Sequence, residues 1–352
     1  MFKNWLKVLL LVMMVNIVAC NQQSEQPSEL ERLKTIQNEN DQGEPAENKV
    51  NVTVSILPQK YFVEKIAGDL VAVNVMVEPG AAPETYEPLP QQLAQLNNSS
   101  AYISIGVPFE EAWLEKIISA NSDIVLVNSG EGIEKIELEG HHHHHEDEDE
   151  HDEHDHDEEK AEKDEHDHDD HDHDGEKAEK NDEDHDEDEL ESLDPHIWLS
   201  PKLAKTQAEN IYEALVEIDP SNESVYQENL DAFLTEIDEI DRQVEQMLAS
   251  LSTREFIIHH PSWGYYAQDY DLEQISLELE GQEVSSAEFV ELIQDAKSKQ
   301  VKYVFAQPQF NNKTVETFAR EIGAEVVILD PLAENWSQNI LDTTNKLAQA
   351  MK

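Results

Sequence analysis

The sequence predicts an α/β protein: two lobes, each a parallel sheet covered by helices, joined by one long rigid helix, with a crevice between the lobes. Two observations predict it. Short β-branched runs alternate with amphipathic stretches in two separate series, the order that builds parallel sheets with covering helices. Between the series lies the chain's most regular helical pattern, apolar at Val225, Leu230, Phe233, Leu234, Ile237, Ile240, Val244, Met247, Leu248 and Leu251. Steps of three and four sustained over about eight turns mark a helix.

Residues 1–20 place Lys3 and Lys7 ahead of an apolar run from Val8 to Ala19. That run is shorter than the roughly 20 residues a membrane-spanning helix needs, and it has the layout of a secretory signal. Residues 21–49, rich in Gln, Glu, Asn and Pro, read as a flexible tether. The first lobe, 50–220, then begins with strands expected over 52–57, 71–77, 101–105 and 123–127 and helices over 59–68, 91–97 and 109–120. An insert at 141–191 interrupts it before a helix at 201–218 that Asp219-Pro220 ends. The linking helix occupies 221–252, with Ser221 as its expected N-cap. The second lobe, 253–352, repeats the pattern: 255–259, 263–269, 272–277, 286–300, 301–306, 314–322, 325–329 and 337–351. In such a fold a ligand binds in the crevice facing the carboxyl ends of the strands.

Composition narrows the function. The 352 residues hold 24 Lys+Arg against 78 Asp+Glu, a formal net charge of −54. Nucleic acid is excluded as a partner, because phosphate binding needs a concentrated basic surface. The single Cys, Cys20, allows no intramolecular disulfide and no all-thiolate zinc site. The charge is concentrated: residues 141–191 contain 29 Asp+Glu, 4 Lys and 13 of the 16 His. The insert therefore has to be read apart from the fold.

Outside the insert only His196, His259 and His260 remain. His196 lies in a loop segment, LDPHIWLSP, just before a helix. His259 and His260 end a strand and point to opposite sides of it. Two carboxylates take comparable places: Asp330 directly after the strand EVVIL, and Glu84 in a Pro-rich loop after strand 71–77. Two His and two carboxylates from four separated strand or loop ends make an N2O2 set suited to Zn2+, and also to Mn2+ or iron. No nucleophile elbow, HExxH helix or phosphate loop is present. The expectation is a carrier and not an enzyme.

At these residues the chain resembles the metal-binding proteins of zinc and manganese ABC importers, and specifically the zinc-uptake ZnuA type. The resemblance runs from Val50 to Lys352 on five ordered motifs: Pro79-Gly80 to Pro88, Gly106 to Trp113, Asp194 to Pro201, His260 to Tyr265, and Phe305 to Leu332. It implies a metal held between two lobes, with His196 as second ligand, His260 as third and Asp330 as fourth. The family's first ligand is His, where this chain has Glu84. His259 matches no family ligand and is read as structural. Cys20, directly after Ile17-Val18-Ala19, resembles the lipidated Cys of a bacterial lipoprotein signal.

The insert is read as an auxiliary, weak metal-collecting tract: His141, His142, His143, His144, His145, His151, His154, His156, His166, His168, His171, His173 and His185 interleaved with carboxylates that attract cations. Together these readings describe an exported solute-binding protein, a monomer held by lipid at the outer face of a bacterial cytoplasmic membrane or free in the periplasm. It would capture Zn2+ and pass it to the membrane subunit of an ABC permease. The rivals are a manganese or iron carrier of the same family, a zinc hydrolase, and a metal buffer or sensor in which the tract is the active part.

Overall fold

In the computed structural model, residues 49–138, 193–279 and 281–352 are described; the signal and tether readings, Cys20 and the tract at 141–191 lie outside them. The first sheet contains β1 (Val50–Val54), β2 (Val71–Val75), β3 (Ala101–Ser104) and β4 (Val125–Asn128), ordered β2-β1-β3-β4 and parallel throughout. Its helices are α1 (Leu57–Ala67), α2 (Pro90–Leu96), α3 (Pro108–Ala120) and α4 (Pro201–Ile218). The linking helix α5 is Glu223–Leu248. The second lobe has β5 (Glu255–Ile258), α6 (Gly264–Asp269), β6 (Glu273–Ser276), a hairpin of β7 (Glu278–Leu279) and β8 (Gln282–Glu283), and α7 (Ser286–Ser298). It ends with β9 (Tyr303–Ala306), α8 (Lys313–Ile322), β10 (Glu325–Ile328) and α9 (Trp336–Ala350). Its main sheet, ordered β10-β9-β5-β6, is also parallel.

Local chemistry shifts several expected boundaries. β1 stops at Val54 and α1 starts at Leu57, because the Gln59 side chain turns back and its Oε1 accepts the backbone N–H groups of Ser55 (3.0 Å) and Ile56 (3.2 Å). These are donors that a helix start leaves unsatisfied. Ser200 caps α4 through the Leu203 N–H, and Ser285 caps α7 with Glu288 completing a capping box. Ser221, expected to cap α5, does not. It sits in a short turn at Pro220–Asn222 and donates to Asp219 Oδ1 at 2.6 Å, while Asn222 and Tyr226 donate to Asp219 Oδ2. Asp219 organises the entry by taking all three donors.

Helix α5, about 39 Å long at 1.5 Å per residue, buries Tyr226, Leu230, Phe233, Ile237, Ile240, Val244 and Leu248. Val225, from the same apolar series, is exposed. The buried stripe packs on α1 and α4 of the first lobe and on α9 of the second. Through it one apolar core runs from Val52 and Val54 to Phe256, Ile258, Phe305 and Trp336. Ile257, on the opposite face of β5, joins a second cluster with Leu277, Val304 and Phe318, as strand alternation requires.

Candidate metal site

Each of the four sequence-predicted residues lies in or beside a short turn or just past the end of a strand. Glu84 lies in a turn at Pro83–Thr85 after β2, where Pro83 is buried and fixes the entry. His196 immediately precedes a turn at Ile197–Leu199, His260 follows β5, and Asp330 follows β10. The structure gathers three of them. Glu84, His196 and His260 form a group whose ligand atoms all lie within 4.8 Å of one another, and among the described residues it is the group of this kind found.

The His196 and His260 Nε2 atoms face each other at 3.4 Å. Glu84 Oε1 lies 3.4 Å from His260 Nε2 and 4.0 Å from His196 Nε2. Both imidazoles are oriented from behind. His196 Nδ1 meets Asp194 Oδ1 at 2.7 Å, and the same oxygen accepts the His196 backbone N–H at 2.8 Å. His260 Nδ1 meets Glu278 Oε1 at 3.0 Å. Carboxylates at both Nδ1 positions select the tautomer that protonates Nδ1 and turns each Nε2 lone pair into the site. Two such lone pairs 3.4 Å apart repel each other unless a cation, whether proton or metal, stands between them.

The electrostatics agree with that geometry. Burial pushes the His260 pKa down, but its hydrogen bonds to Glu278 and Glu84 and their charges outweigh it and raise it to about 9. Burial likewise pushes the Glu84 carboxyl up, while the hydrogen bond and charge of His260, with His196, bring it below the usual value. Glu84 Oε2 is buried without a hydrogen-bond partner among the described residues. The donor set fits a divalent cation that displaces the His260 proton, since two neutral imidazoles and one carboxylate then have electron pairs to give.

Pro83, Trp198, Gln309, Phe310, Pro331 and Leu332 complete the walls of a cavity of about 10 Å3, room for one water-sized body. The His260 ring stacks on Phe310 with centroids 4.7 Å apart. His259 is outside the group of three, its ring edge-on to Phe310 at 5.9 Å, with burial lowering its pKa. Asp330 is outside the group of three and is not among the residues that line the cavity. Its Oδ1 accepts the Gln309 Nε2–H at 2.7 Å and the Leu332 N–H at 3.0 Å.

Sequence reasoning assigned no role to Asp194 or Glu278. Asp194 carries a local signal, because an Asp two residues before a His can take that His's N–H in an Asx turn. Room for it comes from Gly264: a Cβ there would stand 2.8 Å from Asp194 Oδ2. Glu278 lies 18 residues from His260 and carries no local signal.

With this geometry in place, the comparisons decide the family. The family model described as "Zinc-uptake complex component A periplasmic" (ZnuA) matches residues 52–351. The chain belongs to the ZnuA family. It is 27% identical over 290 residues to the high-affinity zinc uptake system protein ZnuA of Bacillus subtilis, covering 81% of this chain and 79% of that one. It is 23% identical over 300 residues to the zinc-binding lipoprotein AdcA of Streptococcus pneumoniae, where it spans about half the relative's length, 51%. A solved structure of ZnuA is 40% identical, covers 87% of this chain and 100% of its own, and superposes with a TM-score of 0.71. A ZnuA deletion mutant with zinc bound is 41% identical at the same TM-score, covering 87% and 99%. The fold of two parallel-sheet α/β lobes is thus that of ZnuA-type substrate-binding proteins.

Proposed function

We propose that this protein captures Zn2+ outside the cytoplasm and delivers it to an ABC permease, with Glu84, His196 and His260 as ligands. The observation that carries the reading is the pair of Nε2 atoms aimed at each other beside the Glu84 carboxylate in a cavity the size of one ion. An ion held there by side chains on three separate segments is read as cargo and not as a catalyst. Two imidazoles favour Zn2+ over Mg2+ or Ca2+. The Glu84 oxygen, in place of an imidazole, is the feature that favours the manganese alternative.

Attachment of lipid at Cys20, residence at the outer face of the cytoplasmic membrane and a monomeric state belong to the same reading, as does weak cation collection by the tract. The test is a competition titration of the full-length chain with Zn2+ and Mn2+ against a chromophoric chelator, which reads the tightest equivalent separately from the weak sites of the tract. Zn2+ should win, and His260→Ala should weaken that equivalent more than tenfold, about 1.4 kcal/mol. Unchanged tight binding in His260→Ala would remove this cavity as the site, and preference for Mn2+ would reverse the choice of cargo.

A further inference from the structure

The cavity has a fourth side, and Gln309, in the loop after β9, lines it together with Glu84, His196 and His260. The Gln309 Nε2–H donates to Asp330 Oδ1 at 2.7 Å, and the same oxygen accepts the Leu332 N–H at 3.0 Å. A carboxylate oxygen only accepts, so Asp330 dictates which end of the carboxamide it meets. The other end, Gln309 Oε1, is left buried without a hydrogen-bond partner among the described residues, as is Glu84 Oε2. Two partnerless acceptor oxygens and two facing imidazole nitrogens thus belong to residues lining one ion-sized cavity.

Resting on the reading of this cavity as a Zn2+ site, we infer that Gln309 supplies the fourth ligand through Oε1 and that Asp330 is its positioning residue, not a ligand. The family resemblance leads one to expect Asp330 on the ion. Here its Oδ1 is already committed to two N–H donors, and the group it orients lies on the cavity wall. The consequence is electrostatic. Zn2+ with one carboxylate and one neutral amide oxygen keeps a net positive charge, where two carboxylates would cancel it. Cargo held by less opposite charge is attracted less strongly and is easier to hand on.

Chelator competition on the full-length protein tests this with Gln309→Leu, Asp330→Asn and the double variant. Gln309→Leu should weaken the tightest Zn2+ equivalent about ten- to a hundredfold, the range for loss of a supporting or ligating group. Asp330→Asn should weaken it in the otherwise unchanged protein and change it less than about twofold when Gln309→Leu is already present, because its effect passes through the carboxamide. An equal loss from Asp330→Asn in both backgrounds would make Asp330 a ligand in its own right and overturn the inference. So would unchanged affinity in Gln309→Leu while His260→Ala is weakened, an outcome that leaves the zinc reading standing. If His260→Ala binds as tightly as the unsubstituted protein, the zinc reading itself fails. Should Gln309→Leu not fold, a zinc-loaded structure of the unsubstituted protein decides: Gln309 Oε1 on the ion supports the inference, and the Asp330 carboxylate on it refutes it.

Discussion

At the residue scale the imidazoles of the site are organised by the carboxylates around them. Glu278 and Glu84 hold the His260 pKa at about 9 against the opposing effect of burial, so the metal-free imidazole carries a proton at neutral pH. Metal coordination needs the neutral ring, so Zn2+ must displace that proton. Between about pH 6.5 and 9 the affinity should therefore rise close to tenfold per pH unit on account of His260, and then level off. In Glu278→Gln the levelling point should move to lower pH, since the main hydrogen bond raising the pKa loses its charge; titrations across this range, with proton release read by calorimetry, check it. The stability of the metal-free protein runs the opposite way. A group whose folded pKa lies above its unfolded value stabilises below the unfolded pKa, and that contribution fades as pH rises through 9. Of this arrangement, His196, His260 and Glu84 were legible in the sequence, because each stands next to a strand end or a Pro-rich turn. Glu278 was not: its approach to His260 depends on the parallel pairing of β5 with β6 and on the hairpin that follows.

At the element scale the helices were read more faithfully than the strand ends. The periodicity of α5 survives because seven of its apolar residues face two lobes at once, whereas the end of β1 depends on one side chain, Gln59, reaching backwards. The β7–β8 hairpin escaped notice because Glu278, Gln282 and Glu283 show no alternation of apolar and polar residues, the signal by which a short strand is recognised. Phe233 gives the measure of what α5 does. It is buried, with its ring 5.3 Å from Phe62 of α1 and 6.3 Å from Trp336 of α9, so it joins the linking helix to both lobes. Phe233→Ala should cost about 3–5 kcal/mol in urea unfolding, the range for emptying a large buried aromatic site. Val225→Ala, on the exposed side of the same helix, should stay within about 0.5 kcal/mol. Comparable losses at the two positions would mean that the helix contributes by propensity and not by packing.

At the scale of the whole molecule, the two sheets belong to a single body. The described residues from Lys49 to Lys352 belong to one compact unit, and buried hydrogen bonds tie the segment that carries His196 to the second lobe. The Trp198 Nε1–H donates to Pro331 O at 2.7 Å, the Trp336 Nε1–H to Trp198 O at 2.6 Å, and the Tyr265 hydroxyl to Asp194 O at 2.8 Å. Both tryptophans are fully buried, and a partner left unmade there costs about 1–3 kcal/mol. Lobes linked by such bonds and by a shared apolar core cannot open independently at low cost. Urea unfolding of the metal-free protein should accordingly show one transition, coincident by tryptophan fluorescence and far-ultraviolet circular dichroism. Zn2+ at about a thousand times its dissociation constant should raise the unfolding free energy by about 4 kcal/mol without splitting that transition, because the residues proposed to hold it come from both lobes. Two separated transitions, with zinc shifting only one, would mean that the lobes fold as independent domains and that the crevice is assembled by the ion.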